Sequence, residues 1–191
     1  MKILVTGGAG FVGSHTCLLL LERGYEVVVI DSYVNSKKKS IQRVIEILKS
    51  NKKTSDFNIK VVKADIRNEQ VLEKIFAESQ EVGKPFKAVI HFAGLKSVMD
   101  SVSNPLLYWD VNVNGSINLL KVMDQYNCRT IVFSSSATIY GISNNKPLEE
   151  KTDINPINPY GKTKATVEQL LNDVYDSDSS EWRIVNLRYF N

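Results

Sequence analysis

Tyr160 and Lys164 stand four residues apart in Asn158-Pro159-Tyr160-Gly161-Lys162-Thr163-Lys164, where an Asn cap and a Pro at the first helical position open a helix. That spacing stacks the phenol and the ammonium on one helix face, while Lys162 points elsewhere. A free phenol titrates near ~10, so a tyrosine that takes protons at neutral pH must be shifted by roughly three units, about 4 kcal/mol. An ammonium about 5 Å away at an effective dielectric of ~20 supplies on the order of 3 kcal/mol. The pair is therefore able to make Tyr160 a proton acceptor. A buried core tyrosine beside a surface lysine shows the same pattern, so further groups must decide between the two. Upstream, Phe133-Ser134-Ser135-Ser136-Ala137-Thr138 reads as a strand end. Ser136 or Thr138 delivered to the same edge would hydrogen-bond the oxygen that loses its proton. Serines at strand ends also serve as simple hydrogen-bond fillers.

The second chemical signal is at the N-terminus, in Lys2-Ile3-Leu4-Val5-Thr6-Gly7-Gly8-Ala9-Gly10-Phe11-Val12-Gly13-Ser14. A short apolar strand breaks into glycines that open a helix, which is how a chain brings backbone close to pyrophosphate oxygens and offers them free N–H groups. Gly7, Gly10 and Gly13 satisfy G-x-x-G-x-x-G, and Gly8, Gly10 and Gly13 satisfy G-x-G-x-x-G; spacing alone does not choose. Helical periodicity over 11–23 stops at Gly24, and Tyr25 to Ile30 forms a second apolar strand ending in Asp31. An acid about 20 residues past the glycines is placed for the ribose hydroxyls of a dinucleotide and repels a 2′-phosphate, which points to NAD over NADP. With NAD as hydride acceptor and Tyr160 as base, the chemistry is oxidation of an alcohol. A tight structural turn and a helix-capping Asp31 are the plainer alternatives.

These groups require a scaffold that gathers strand ends along one edge. Apolar strands near 2–6, 26–31, 59–64, 87–92, 130–135 and 183–189 alternate with amphipathic helices, and runs such as Thr130-Ile131-Val132-Phe133 are continuously apolar. This predicts an α/β doubly wound parallel sheet of Rossmann type, strand order 3-2-1-4-5-6, with helices on both faces and ligands at the carboxyl strand ends. Residues 143–158 form the one long connection, where an active-site loop would sit.

At 191 residues with 43% hydrophobic and 24% charged content, the chain reads as one globular domain spanning 1–191. The net charge of +3 has much of its excess in Lys37, Lys38, Lys39, Lys49, Lys52 and Lys53. Without interleaved aromatics these read as solvated surface, not as a nucleic-acid site. Cys17 and Cys128 read as core residues in a reducing compartment, and no metal-ligand spacing occurs. The longest aliphatic run, residues 18–21, is far too short for a bilayer, and the chain opens on a strand, so a cytoplasmic protein without a membrane partner is expected. His15 and His91 read as helix-surface and core residues.

With these residues assembled, the chain resembles the extended short-chain dehydrogenase/reductase family, in its branch of nucleotide-sugar epimerases. Beside the glycine loop, the likeness rests on 31–36 (DSYVNS), 64–69 (ADIRNE), 91–96 (HFAGLK), 112–115 (NVNG), 134–141 (SSSATIYG), 159–162 (PYGK) and 187–191 (LRYFN). The resemblance implies NAD contacts from Gly7, Gly10, Phe11, Val12, Gly13, Asp31, Asn35 and Ser36, with Asp65 and Ile66 flanking adenine. Phe92, Ala93, Gly94 and Lys96 would line the cofactor, Lys164 would bridge the nicotinamide ribose, and Tyr189 or Phe190 would pack at the nicotinamide. Ser136, Tyr160 and Lys164 match the family's catalytic residues; Lys96, Ser136, Thr138, Tyr160 and Asn191 would meet the substrate, a UDP-sugar.

The implied reaction is NAD-dependent interconversion of UDP-glucose and UDP-galactose through a 4-keto sugar. Related dehydratases need an acid beside the serine or threonine position, and here that position is Ala137. Val111 replaces an asparagine that often touches the cofactor. The family's C-terminal substrate lobe is largely missing from 1–191, which leaves another nucleotide sugar, or NAD binding without turnover, as alternatives. A homodimer through helices near 105–127 and 159–176 is plausible, and the last strand is expected to leave a sheet edge uncovered.

Overall fold

In the computed structural model, residues 1–50, 57–142 and 147–190 are described. Six parallel strands, β1 (Lys2–Thr6), β2 (Glu26–Asp31), β3 (Ile59–Lys63), β4 (Ala88–His91), β5 (Thr130–Ser136) and β6 (Arg183–Tyr189), form one sheet. Their order is β3-β2-β1-β4-β5-β6, as the alternation of strand and helix predicts. The order reverses between β1 and β4, so the carboxyl ends of these two strands diverge into a crevice.

Helices α1 (Phe11–Glu22), α2 (Lys38–Ser50), α3 (Glu69–Glu81), α6 (Gly115–Gln125) and α7 (Pro159–Ser177) connect the strands. Two short helices, α4 (Val98–Ser103) and α5 (Pro105–Tyr108), lead into a widened π-type turn over Trp109–Asn114. Strand side chains alternate between two apolar layers. Leu4, Val28, Val89, Ile131 and Phe133 face Leu72, Phe76, Leu119, Met123, Val167 and Leu171 of α3, α6 and α7. Ile3, Val5, Val27 and Val29 face Cys17, Leu21, Ile41, Val44 and Leu48 of α1 and α2.

The expectation of helices on both faces holds for β1 and β2 and fails at β6. Because α3, α6 and α7 all lie on one side, Val185 and Leu187 remain 49% and 41% exposed on the other. β6 is an edge strand with one open face, as foreseen for the last strand. Both cysteines are buried, and burial pushes the thiols up, Cys17 to about 12 and Cys128 to about 11. Lys37, Lys38, Lys39 and Lys49 are exposed, while Lys52 and Lys53 lie outside the described residues. Among the described residues, no helix is long and apolar enough to cross a membrane.

Candidate active site

A cleft of about 550 Å³ opens at the carboxyl ends of the strands. Its first wall is the glycine loop. Gly7 has φ +68°, and a Cβ there would lie 2.6 Å from the Ala93 nitrogen; a Cβ at Gly13 would run into the Gly7 carbonyl. Gly7, Gly10 and Gly13 line the cleft with Phe11 and Val12, whereas Gly8 packs against Val29 of β2. The backbone thus selects the G-x-x-G-x-x-G set as the face turned to a ligand. Those missing side chains leave a cradle of the kind a pyrophosphate fits.

Asp31 ends β2 at the next wall and is 6% exposed. Its Oδ2 accepts from the Ala9 nitrogen at 2.9 Å, and its Oδ1 from the Tyr33 nitrogen at 2.9 Å and the Ser36 hydroxyl at 2.7 Å. The carboxylate is therefore locked to the glycine loop before any ligand arrives. Ser36 serves Asp31 in this way and lines an adjoining pocket with Gly10, Phe11, Asn35 and Lys96. Asn35 does reach the cleft, donating to the Gly94 carbonyl at 3.3 Å.

Asp65 and Ile66 follow β3 at the same wall, joined by Arg67, which the sequence reading did not single out. Arg67 grips Asp65 and Asp110, each at 2.7 Å, and so ties the β3 loop to the π-type turn. The Arg67 guanidinium holds the Asp65 carboxyl below its usual range. Phe92, Ala93, Gly94 and Lys96 line the floor. Their loop is clamped by Asn112, whose amide accepts from the Leu95 nitrogen at 2.8 Å and donates to the Leu95 carbonyl and the Thr163 hydroxyl, each at 3.0 Å. Val111 lines the cleft one residue earlier. The only advance signal for Asn112 was its membership of the NVNG motif.

Ser136, Tyr160, Lys164 and Tyr189 complete the cleft at its far end. The Asn158 side chain accepts from the Gly161 nitrogen at 2.8 Å, so the expected cap starts α7 and sets Tyr160 in its first turn. Lys162 is exposed; Tyr160 and Lys164 are buried. Lys164 Nζ donates to the Ser134 carbonyl at 2.8 Å and lies 4.7 Å from the Phe133 ring centre and 6.0 Å from that of Tyr160. Thr138 does not line the cleft. Its hydroxyl and its nitrogen donate to Ser136 Oγ at 3.0 and 3.2 Å, so it orients Ser136 from behind. Phe190 lies outside the cleft, 61% exposed and 6.4 Å from the Tyr140 ring. Asn191 lies outside the described residues.

The electrostatics differ from expectation at Tyr160. Burial raises the phenol, a hydrogen bond with Ser136 opposes part of that rise, and the net direction is upward. The sequence argument had Lys164 lowering it. Lys164, however, is itself desolvated, which brings it down to about 8 against the opposing charge of Glu168, and its ammonium is engaged by the Ser134 carbonyl. His91 is a core residue, bonded to Thr6 Oγ1 at 2.6 Å and Ser116 Oγ at 2.9 Å, and burial pushes it down to about 3. His15 is exposed on α1. Among the described residues, no three His, Cys, Asp or Glu side chains are grouped to hold a metal ion.

The GDP-mannose 4,6 dehydratase family model matches residues 4–191. UDP-glucose 4-epimerase 2 of Arabidopsis thaliana is 50% identical over 190 residues, all of this chain and 51% of the relative. The bifunctional UDP-glucose 4-epimerase and UDP-xylose 4-epimerase 1 of Pisum sativum is 47% identical, with 52% of its length covered. The crystal structure of UDP-glucose 4-epimerase from Bifidobacterium longum, in complex with NAD+ and UDP, superposes with a TM-score of 0.90 at 44% identity, over all of this chain and 53% of that one. The chain thus spans about half the length of the curated relatives it matches. By the match over residues 4–191, the chain belongs to the GDP-mannose 4,6 dehydratase family.

Proposed function

We propose that residues 1–191 form the NAD-binding domain, with the catalytic Ser136, Tyr160 and Lys164, of an enzyme that interconverts UDP-glucose and UDP-galactose. The observation that carries this is the continuity of one cleft from the glycine cradle and Asp31 to Ser136, Tyr160 and Lys164. The residues fit NAD: the cradle that a Cβ would fill takes the pyrophosphate, and the buried Asp31 carboxylate accepts from the adenosine ribose and repels a 2′-phosphate. When bound, NAD would supply a hydride acceptor for sugar carbon C4 and would add its positive charge to that of Lys164 near Tyr160.

The Tyr160 phenolate oxygen takes the proton of the C4 hydroxyl and later gives it back. Ser136, held by Thr138, hydrogen-bonds the same C4 oxygen. Lys164 supplies a fixed positive charge and binds the nicotinamide-side ribose. Lys96, on the loop after β4, meets the substrate from the cleft lining. Position 137, where a dehydratase would carry its acid, is Ala, so this wall offers C4 chemistry and no acid to expel a C6 hydroxyl.

The second activity of the Pisum sativum relative supports a neighbouring reading, in which the same site takes a UDP-sugar that lacks the C6 hydroxymethyl group. The exposed Leu106 and Trp109 on the first of the two expected dimer segments support a homodimer. The test of function joins 1–191 to the C-terminal half of the Arabidopsis thaliana relative and supplies UDP-galactose or UDP-xylose. Conversion of UDP-galactose to UDP-glucose is expected, with weak or no turnover by 1–191 alone. A fusion that binds NAD but converts only UDP-xylose, or neither sugar, overturns the sugar assignment.

A further inference from the structure

Behind Ser136 is a buried ionic cluster that this mechanism does not use. On α7, Tyr160, Lys164 and Glu168 repeat every four residues and stack along one face. Glu168 is 2% exposed. Its carboxylate accepts from the Ser135 hydroxyl of β5, and from Arg188 of β6 through Nε at 3.1 Å and Nη2 at 2.7 Å. Ser135 and Arg188 are register partners on the two strands. Arg188 Nη1 continues to the Tyr140 hydroxyl at 2.7 Å and the Glu150 carbonyl at 2.9 Å. The segment carrying Ser136 is therefore gripped on both sides by one ion pair, at Ser135 through Glu168 and at Tyr140 through Arg188.

A pair with one partner buried and the other about one-fifth exposed is seldom retained for stability alone, since apolar residues of equal volume often do as well. Its value here is geometric and electrostatic. Lys164 faces Glu168 and Tyr160 on its own helix, the Ser134 carbonyl and Phe133 ring on β5, and His91 on β4. Of these neighbours, Glu168 alone is a carboxylate.

We infer that Glu168, together with Arg188, is a positioning residue of the Ser136, Tyr160 and Lys164 site: its carboxylate is the counter-charge of the buried Lys164 ammonium, and the pair fixes segment 135–140 so that Ser136 faces Tyr160. The inference rests on the proposed roles of those three residues. Burial already brings Lys164 down to about 8 with Glu168 in place, and since Glu168 opposes that fall, losing its carboxylate lowers the lysine further.

The test uses the 191-residue chain with isotope-labelled lysine, following the Lys164 side chain by NMR against pH, with Lys164→Met to assign the signal. Glu168→Gln is expected to lower the Lys164 midpoint by at least about one pH unit, a tenfold change in proton affinity. It is also expected to speed amide exchange over 136–140 about tenfold or more. Glu168→Asp should restore the midpoint. A folded Glu168→Gln chain whose midpoint moves by less than about 0.3 unit overturns the inference. If Glu168→Gln does not fold, Tyr140→Phe decides, since it keeps the ion pair and cuts one tie. Faster exchange over 137–140 with an unchanged Lys164 midpoint supports the inference, and unchanged exchange overturns it. Neither readout needs NAD or turnover, so a chain that binds no NAD refutes the proposed function without deciding this point.

Discussion

The two ends of the cleft are built on different physics. At the adenosine end, geometry is set by backbone and by absent side chains: Gly7, Gly10 and Gly13 leave a cradle, and Asp31 is locked by two backbone N–H groups and one hydroxyl within five residues of it in sequence or on the adjoining loop. At the reacting end, geometry is set by buried charge. Lys164, Glu168 and Arg188 come from α7 and β6, and the Glu168–Arg188 pair holds a strand end and a loop up to 48 residues away. The first kind of site is intolerant of a single added carbon at Gly7 or Gly13. The second depends on groups whose protonation burial shifts, Tyr160 upward and Lys164 downward.

That contrast can be broken most sharply at the reacting end. Tyr160→Phe in the fusion protein should cut turnover at least a hundredfold, the usual range for a lost general base, while NAD affinity stays within about twofold. Steady-state rates and calorimetric titration check the two halves of that statement, and retained turnover refutes Tyr160 as base. At the adenosine end, Gly13→Ala forces a Cβ into the Gly7 carbonyl and within 2.8 Å of the Gly8 Cα. It should weaken NAD binding more than tenfold and cost about 1–3 kcal/mol in urea unfolding. Normal NAD binding by the Gly13→Ala chain would show that the cradle is not the pyrophosphate site.

A smaller effect is expected from pH. His91 titrates at about 3 when folded and near ~6.5 when unfolded, so between these values the unfolded chain binds the extra proton and stability falls as pH drops, by about 2 kcal/mol at pH ~5. Lys164 runs in the same sense at the alkaline side. The unfolded chain holds its proton from about 8 up to 10.5 while the folded chain releases it, so stability rises with pH across that window. Urea titrations at several pH values check both limbs, and a flat profile contradicts them. Smallest of all, Leu106→Ser should leave folding and NAD binding intact and shift any dimer toward monomer in sedimentation, since Leu106 is 84% exposed.

What could be read from sequence follows the same division. The six strands, their order, the Asn158 cap and the glycine and Asp31 positions are local signals: apolar runs, a capping residue, a spacing. The Glu168–Arg188 pair has no such signature, because a glutamate at a helical position and an arginine in a strand look like ordinary surface residues until register sets Arg188 beside Ser135. The partners of Ser36, Thr138 and Phe190 are hidden in the sequence for the same reason. The motif names them, but their side chains turn to Asp31, Ser136 and Tyr140. The upward direction of Tyr160 was also out of reach, since it depends on how much water burial removes from the phenol.

The central claim is that this chain holds NAD through its glycine cradle and Asp31, and titration of the 191-residue chain with NAD and NADP in parallel tests it most directly. Saturable one-to-one binding of NAD is expected, with NADP at least tenfold weaker and that preference diminished in Asp31→Asn; failure to bind NAD, or equal binding of the two dinucleotides, contradicts the account.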